Sequence, residues 1–193
     1  MAEPRLPIEG GATFSLTHRI LRAAWQLVWI ILCSWTPPSM WRWRRFLLVL
    51  FGADMHPLCD VRGTARVWYP RNLKMGKRSL IADHVICYNI SMITLEDGAI
   101  VSQRSSLCTA SHSIHQADFA LVSEEIFIRQ NAWVASEAFV GPGVEIGEFA
   151  VLGARGCAFK CIPKAEVHGG NPAKKIGNRT TAANPAETQP MFN

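Results

Sequence analysis

Apolar and polar positions alternate in two different ways along the chain, and the change falls near residue 54. Before that point, five apolar residues recur at helical spacing and share one face of a predicted helix. They are Leu21, Trp25, Val28, Trp29 and Leu32. Ser15 is the expected N-cap, and a Thr-Pro-Pro segment ends this helix after about residue 34. A second short helix is expected over about 39–51, with Gly52 at its end.

From Met55 onward the helical period disappears and six-residue units follow one another, each opening with an apolar residue. Between residues 128 and 163 the units are IRQNAW, VASEAF, VGPGVE, IGEFAV, LGARGC and AFKCIP. The fifth place of each unit is also small or apolar. Earlier units open at Met55, Val61, Val67, Met75, Ile81, Cys87, Leu95, Val101 and Leu107. In these three groups of three units, extra residues always follow the third unit, so three units make one coil and all three insertions leave from the same corner.

This pattern predicts a mainly β fold, a parallel β-helix of about five triangular coils preceded by two N-terminal helices. Each opening residue points inward and stacks on its counterpart in the next coil. Arg71, at a fifth place in the first coil, is the one poor fit. The predicted divisions are 1–54 for a lead-in and the helices, 55–163 for the β-helix, and 164–193 for a closing segment with a disordered tail.

Composition narrows the function classes. The 193 residues suit a single domain of ~100 to 200 residues, 49% of them are apolar, and the net charge is +5. That charge is local, because residues 11–52 contain no carboxylate but hold Arg19, Arg22, Arg42, Arg44 and Arg45. No basic stripe continues beyond Ala53, which argues against a nucleic-acid partner. The six cysteines lack zinc-module spacing and indicate buried thiols in a reducing cytoplasm.

The tryptophan- and arginine-rich helices leave two interpretations open. They pack on their own domain or a neighbouring subunit, or they contact a membrane surface. The longest uncharged apolar stretch, residues 23–35, is well short of the ~20 residues that a membrane span requires. We therefore expect packing, with at most peripheral membrane contact.

One residue stands out as a candidate for chemistry. His112 ends the third coil, in the segment LCTASH, directly before the longest insertion. A histidine held at a rigid corner beside a loop is well placed to act as a general base.

Several motifs together resemble the hexapeptide-repeat acyltransferases, which are left-handed β-helix enzymes that use acetyl-CoA. The repeat units, LCTASH and the closing VHGGNPAKKIG carry this resemblance. The segments FSLTHRILRAAWQLVWIIL, WRRFLLVLFGA and VWYPRNLKMG are similar more narrowly to the colanic-acid-biosynthesis-type O-acetyltransferases of bacterial exopolysaccharide pathways.

The resemblance implies an acetyl-CoA-dependent O-acetyltransferase that acts on a sugar hydroxyl by direct transfer, with His112 as the base. Ser136 and Ala154 match positions along the pantetheine arm, and Lys174 matches a basic position near the nucleotide phosphates, where Lys160 adds charge. Tyr88, with Asn89 beside it, stands where relatives bind the acceptor. The implied assembly is a homotrimer with a sugar or lipid-linked saccharide acceptor, no required metal and a cytoplasmic location. Peripheral contact with the inner membrane stays open, as it does for the helices.

Three alternatives remain open. His84, His112 and His115 suggest a metal lyase of the γ-type carbonic anhydrase kind, which shares the solenoid. Cys108, four residues before His112, suggests a thiol acyl-enzyme. The third alternative is a catalytically inactive β-helix that serves as a scaffold.

Overall fold

Two helices precede the repeats in the computed structural model, which describes residues 14–114 and 119–180. Helix α1 spans Leu16–Leu32 and α2 spans Trp41–Leu50, with a 3₁₀ turn at Pro38–Met40 between them. Ser15 caps α1 as predicted, because its Oγ accepts a hydrogen bond from the backbone N–H of His18 at 3.3 Å. Gly52 follows α2 at φ +99°, where a Cβ would lie only 2.7 Å from Cγ of Arg71. The expected lead-in at 1–13 and the tail from 181 lie outside the described residues.

Short strands make up the rest. In chain order they are β1 (Asp54–Met55), β2 (Asp60–Val61), β3 (Arg66–Val67), β4 (Leu73–Met75), β5 (Leu80–Ile81), β6 (Ile86–Tyr88), β7 (Ile93–Leu95), β8 (Ile100–Val101), β9 (Ser106–Cys108), β10 (Ala110–His112), β11 (Leu121–Ser123), β12 (Ile126–Ile128), β13 (Trp133–Val134), β14 (Phe139–Val140), β15 (Glu145–Ile146), β16 (Val151–Leu152), β17 (Cys157–Ala158), β18 (Glu166–Gly169) and β19 (Lys174–Asn178).

Three parallel sheets form the sides of a solenoid. Sheet A has the order β1-β4-β7-β12-β15, sheet B runs from β2 through β5, β8, β13 and β16 to β18, and sheet C has the order β3-β6-β9-β14-β17. In sheet A the Cα partners are Met55, Met75, Leu95, Ile128 and Ile146, which are the predicted opening residues. Their side chains are buried, as are the openers of the other two sheets. The predicted β-helix and its register are confirmed.

The solenoid continues one partial coil beyond the five that were predicted. Ile162 bridges to Ile146 in sheet A, and His168 pairs with Leu152 in sheet B. Strand β19 then turns back antiparallel to β18 and ends the stack. The division expected at Pro163 therefore falls inside the last coil.

The insertions leave from the corner between sheets C and A, as the sequence predicts. They follow β3, β6 and β9 in the first three coils, whereas β14 leads directly to β15. Arg71 lies in one of them, a 3₁₀ turn at Pro70–Asn72, so its side chain never enters the core. Buried polar side chains hold this corner. Asn89 and Thr109 are both fully buried and hydrogen-bonded to backbone groups of neighbouring coils.

Helix α1 packs on the first coil through two indole rings. Trp25 Nε1 donates to the carbonyl of Val67 at 2.7 Å, and Trp29 Nε1 donates to that of Ala65 at 2.8 Å. These bonds satisfy the donors of both buried rings and attach the helix to sheet C. The predicted buried face is correct at Trp25 and Trp29 but wrong at Leu32, which is 37% exposed while the adjacent Cys33 is buried.

A buried arginine attaches α2. Arg44 has no exposed surface, and its Nε donates to the carbonyl of Val61 at 2.6 Å. Its terminal nitrogens bond Thr36 Oγ1, the carbonyls of Pro37 and Pro38, and Asp60 Oδ1. Arg45 donates to the carbonyls of His56 and Met55, both at 3.0 Å. Two of the five N-terminal arginines are thus structural, which agrees with packing of the helices on their own domain. Within the described ranges, neither helix is long and apolar enough to cross a bilayer.

Replacing Arg44 tests this attachment. We expect Arg44→Met to lower the free energy of unfolding by about 3 to 5 kcal/mol, because Asp60 and the buried carbonyls lose their donor. Arg42→Met, at an exposed position on the same helix, is the matched control and is expected to change it by less than about 0.5 kcal/mol. Urea unfolding at fixed protein concentration measures both values. Equal losses in the two variants would contradict the structural role of Arg44.

Candidate active site

His112 lies where the chain leaves the solenoid. It ends β10, which pairs antiparallel with β11 so that His112 lies opposite Leu121. Cys108 ends β9, two residues before β10 begins. Its Cα partner is Tyr88, which ends β6 in the preceding coil of sheet C. Thr109 fixes the departure point, since its Oγ1 contacts the carbonyl of Tyr88 and accepts from the backbone N–H of Ser91, both at 3.0 Å. The histidine therefore sits on a hairpin with a rigid base.

The imidazole of His112 is oriented by Phe119. Its Nδ1 lies 2.8 Å from the carbonyl oxygen of Phe119, and the two rings stack with centroids 4.5 Å apart and an interplanar angle of 4°. A carbonyl oxygen only accepts, so Nδ1 carries the hydrogen in this bond. In the neutral ring, Nε2 then holds the free lone pair, which is the state a general base needs. His115 lies outside the described residues.

Ser136 and Ala154 lie at the corner between sheets B and C, stacked one coil apart. The backbone N–H of Arg155 donates to the carbonyl of Ser136 at 2.9 Å, which confirms the predicted stacking of the two turns. Ser136 is half-buried and Ala154 is exposed. These two residues form the start of a row parallel to the solenoid axis.

The closing hairpin extends that row. The pairing of His168 with Leu152 sets Gly170 level with Ala154, and the carbonyl of Gly170 accepts from the N–H of Cys157 at 2.9 Å. Lys174 begins β19 opposite Gly169 and is exposed. The structure thus brings Ser136, Ala154 and Lys174 to one corner.

Two other lysines differ from this arrangement. Lys160 follows β17 and is exposed at the opposite corner, between sheets C and A. Lys175 is already paired, with its Nζ 2.7 Å from Glu166 Oε1. Hydrogen bonds from His168 and Lys175 hold the pKa of Glu166 below its usual value. Lys175 is therefore neutralised locally, whereas Lys160 and Lys174 keep their charges facing solvent.

His112 and the row at Ser136 lie at opposite edges of sheet C. Ser136 precedes β14 and Ala154 precedes β17, whereas His112 comes after β9, and all strands of the sheet point the same way. One chain does not bring these groups together. A site that uses both requires a second chain.

Tyr88 and Asn89 occupy different environments although they are neighbours. Tyr88 faces outward from sheet C, partly exposed and packed edge-on against Trp68 at 5.6 Å. Asn89 is fully buried: its Oδ1 accepts from the N–H of Tyr69, and its Nδ2 donates to the carbonyls of Tyr69 and Asn72. Asn89 therefore has no accessible amide group for an acceptor, and the expectation that it contacts substrate is corrected. Its hydrogen bonds hold the corner instead.

A groove that the sequence analysis missed runs between α1 and the first two coils of sheet C. Its volume is about 430 Å³, and its lining includes Trp25, Trp29, Ile30, Trp68 and Tyr88. The signal was present in the outward-facing positions of the repeat units, where Trp68, Ile86 and Tyr88 are apolar or aromatic in place of polar. Aromatic faces beside a polar rim suit a carbohydrate or an amphipathic ligand.

Within one chain, the described residues assemble neither the metal site nor a cysteine in the core beside His112. His84 lies at the corner between sheets B and C and His112 at the corner between sheets C and A, so the two rings do not meet in one chain. Residues 14–114 and 119–180 contain no cluster of three metal-ligating side chains. Cys108 faces outward rather than into the core, with Sγ 3.2 Å from the carbonyl oxygen of Ala110.

Comparison with known sequences identifies relatives over most of the chain. The WcaF protein of Escherichia coli K12, whose name assigns it as an acetyltransferase of colanic acid biosynthesis, is 37% identical over 155 residues, which cover 80% of this chain and 85% of that protein. The galactoside O-acetyltransferase of the same organism is 26% identical over 111 residues, or 56% of this chain and 55% of the relative. No family model matches the chain.

Solved structures share the fold. A maltose O-acetyltransferase from Clostridium difficile 630 superimposes with a TM-score of 0.76 at 21% identity, over 86% of this chain and 90% of its own. A hexapeptide-repeat acetyltransferase from Vibrio cholerae, complexed with acetyl coenzyme A, gives a TM-score of 0.75 at 21% identity, over 94% and 100%. At this identity the likeness shows the shared fold alone.

Substitutions at the neighbouring residues Asn89 and Tyr88 distinguish a residue that stabilises the corner between sheets C and A from one that faces outward. We expect Asn89→Ala to lower the free energy of unfolding by about 2 to 4 kcal/mol, because three backbone groups at the corner lose their partner. Tyr88→Phe removes only an outward hydroxyl and is expected to stay within about 0.5 kcal/mol of the parent. Denaturant unfolding measures both. A stable Asn89→Ala protein would contradict the assignment of Asn89 to the corner.

Proposed function

Because the chain belongs to the family of hexapeptide-repeat acetyltransferases that includes WcaF, we propose that it transfers an acetyl group from acetyl-CoA to a sugar hydroxyl, in bacterial exopolysaccharide biosynthesis. One observation carries the catalytic part of the proposal. The carbonyl of Phe119 holds Nδ1 of His112 as a donor, which leaves Nε2 free to take a proton.

His112 acts as general base and then as general acid. Its Nε2 accepts the proton of the acceptor hydroxyl while the hydroxyl oxygen attacks the acetyl carbonyl carbon. As the C–S bond breaks, the imidazolium returns that proton to the departing sulfur. The O-acetyl sugar and free CoA are the products, and no residue is acylated. Direct transfer of this kind depends on holding both substrates together.

The corner row of Ser136 and Ala154 receives the pantetheine arm of acetyl-CoA. Its two turns stack along the solenoid axis, and Lys174 at the far end offers a free ammonium to the nucleotide phosphates. Lys160, on the other edge of sheet C, supplies charge from a neighbouring chain. Each of these residues is exposed or half-buried, as a contact with substrate requires.

A homotrimer completes the site. His112 and the corner row lie at opposite edges of sheet C, so the His112 edge of one chain has to meet the corner row of the next. Cyclic assembly brings every such pair together with the same geometry.

The acceptor is a sugar or a lipid-linked saccharide. Tyr88 supplies an outward-facing aromatic ring. Its strand partner in the next coil is Cys108, which is four residues before His112 in the chain, and the adjoining groove adds Trp68. We place the enzyme in the cytoplasm, in peripheral contact with the inner membrane. Its six cysteines show no disulfide among the described residues.

Replacing His112 tests the base. We expect His112→Asn to lower kcat by about 10² to 10⁴, since the amide can still donate to the Phe119 carbonyl but cannot accept a proton. Binding of acetyl-CoA should stay within about twofold of the parent, because the base acts on the acceptor. Release of free CoA with an acceptor saccharide measures the rate, and calorimetry measures binding.

Two controls accompany this variant. His84→Asn changes an exposed histidine at the other corner, where φ is +59° and asparagine is well tolerated, and should keep parental activity. Cys108→Ala should also remain active. An inactive Cys108 variant together with an acetylated Cys108 trapped in the parent would contradict direct transfer.

The oligomer is predicted separately. At micromolar concentration the solution mass should be three times the 21.4 kDa of the chain, because one chain holds only part of each site. Sedimentation equilibrium measures this mass. Full activity in a preparation that sediments as a single chain would rule out the shared site.

A further inference from the structure

The outward side of the two helices is apolar where a soluble protein would be polar. We call this surface the outer helical face. Its members are 38–69% exposed, and they are Leu16, Ile20, Leu27, Ile30 and Ile31 on α1 with Trp43, Phe46, Val49 and Leu50 on α2. Contiguous exposed apolar surface of this kind marks an interaction site.

Helical geometry makes this face continuous. The α1 members recur at intervals of three, four and seven residues, with Ala23 and Ala24 between them, and lie opposite the buried Trp25 and Trp29. Helix α1 is therefore apolar on both sides, and sheet C covers only one of them. The indole of Trp43 donates to the carbonyl of Leu32 at 3.0 Å, which joins the α2 part of the face to the end of α1.

Charge beside the face is entirely positive on the helices themselves. Neither α1 nor α2 contains Asp or Glu. Arg44 and Arg45 are committed to the first coil, and Arg22 is half-buried over the ring of Trp68. Of the five arginines on the two helices, Arg19 and Arg42 are therefore the exposed ones. On the first coil, Asp54 and Asp60 are already in ion pairs with Lys74, Arg44 and Arg62. The surroundings of the face therefore favour an anionic partner.

Two exposed tryptophans, Trp35 and Trp43, have their indole N–H groups hydrogen-bonded to the protein backbone. Trp35 is exposed, and its Nε1 donates to the carbonyl of Ile31 at 2.7 Å. Since the indole N–H groups of Trp35 and Trp43 are both satisfied within the protein, their rings can enter lipid without an unpaired donor.

We propose that the outer helical face docks in the plane of a bilayer that contains anionic lipids. A second copy of the chain is the poorer occupant, because two such faces would bring Arg19 and Arg42 of each copy together with no carboxylate on either helix to offset them. Apolar insertion combined with attraction to anionic headgroups is how amphipathic helices bind a membrane surface.

Docking in this orientation opens the groove toward the bilayer, where it can admit a lipid-linked acceptor. This step rests on the proposed function. Ile30 belongs both to the outer helical face and to the lining of the groove, whose other side reaches Tyr88. A saccharide on a lipid carrier would enter from the bilayer with its sugar directed toward Tyr88. The docking itself needs no acetyl transfer.

Vesicle flotation of the full-length protein tests the docking. The probes are vesicles of phosphatidylethanolamine with phosphatidylglycerol, and vesicles of phosphatidylcholine alone. We expect binding to the anionic vesicles, weakened about fivefold for each arginine removed in Arg19→Gln and Arg42→Gln, and weakened also by added salt. Ile31→Gln should reduce binding about tenfold. Ile176→Gln, at an isoleucine that is 69% exposed against 56% for Ile31 and lies on β19 at the far end of the solenoid, is the matched control and should bind like the parent.

The other outcomes overturn the proposal. Absence of binding to anionic vesicles, equal binding to phosphatidylcholine, or an equal loss in Ile31→Gln and Ile176→Gln would each contradict it. A lower solution mass for Ile31→Gln than for the parent would assign the face to contact between chains instead. Urea unfolding of each variant verifies that the fold is retained. Because binding is measured without substrate, loss of docking and loss of acetyl transfer are separable results.

Discussion

The structure depends on the vertical alignment of one inward side chain per sheet in every coil. Met55, Met75, Leu95, Ile128 and Ile146 stand in register in sheet A, and each strand of two or three residues is too short to be stable without its neighbours. Displacing one unit by a single residue would turn a buried aliphatic to solvent, so the register is strongly specified. The candidate site residues His112, Ser136 and Ala154 lie at corners, and this register sets the height of each corner along the solenoid axis.

Two corners of the solenoid differ in structure: one carries the insertions, and the other carries an unbroken row of turns. The corner between sheets C and A accepts insertions, because Asn89 and Thr109 satisfy the backbone groups that the departing chain leaves unpaired. His112 projects from it on a hairpin, and Phe119, two residues before the opposite strand begins, supplies the carbonyl that orients the ring. The corner between sheets B and C keeps an uninterrupted row of turns, which suits an extended ligand. Because these residues lie on opposite sides of one sheet, a site that uses both of them requires two chains.

The helices satisfy two requirements at once. Trp25, Trp29 and Arg44 attach them to the first coil, where they cover an end of the solenoid that would otherwise expose unpaired strands. Their opposite side is apolar as well, and packing alone gives no reason for that. The tryptophans and arginines of the helices therefore divide between two sides: Trp25 and Arg44 face inward, and Trp43 and Arg42 face outward.

The sequence by itself determined the repeat, its register, the corner of the insertions and the helix limits at Ser15 and Gly52, because these are local consequences of period and backbone conformation. It also singled out His112, since a histidine at the end of a coil is visible in the pattern. Only the tertiary structure decided which polar residues are free. Tyr88 and Asn89 are adjacent in the chain, yet one faces the groove and the other is fully hydrogen-bonded inside the corner. The same holds for Arg42 and Arg44. Accessibility depends on neighbours distant in the chain, such as Tyr69 and Asp60, and no local spacing records them.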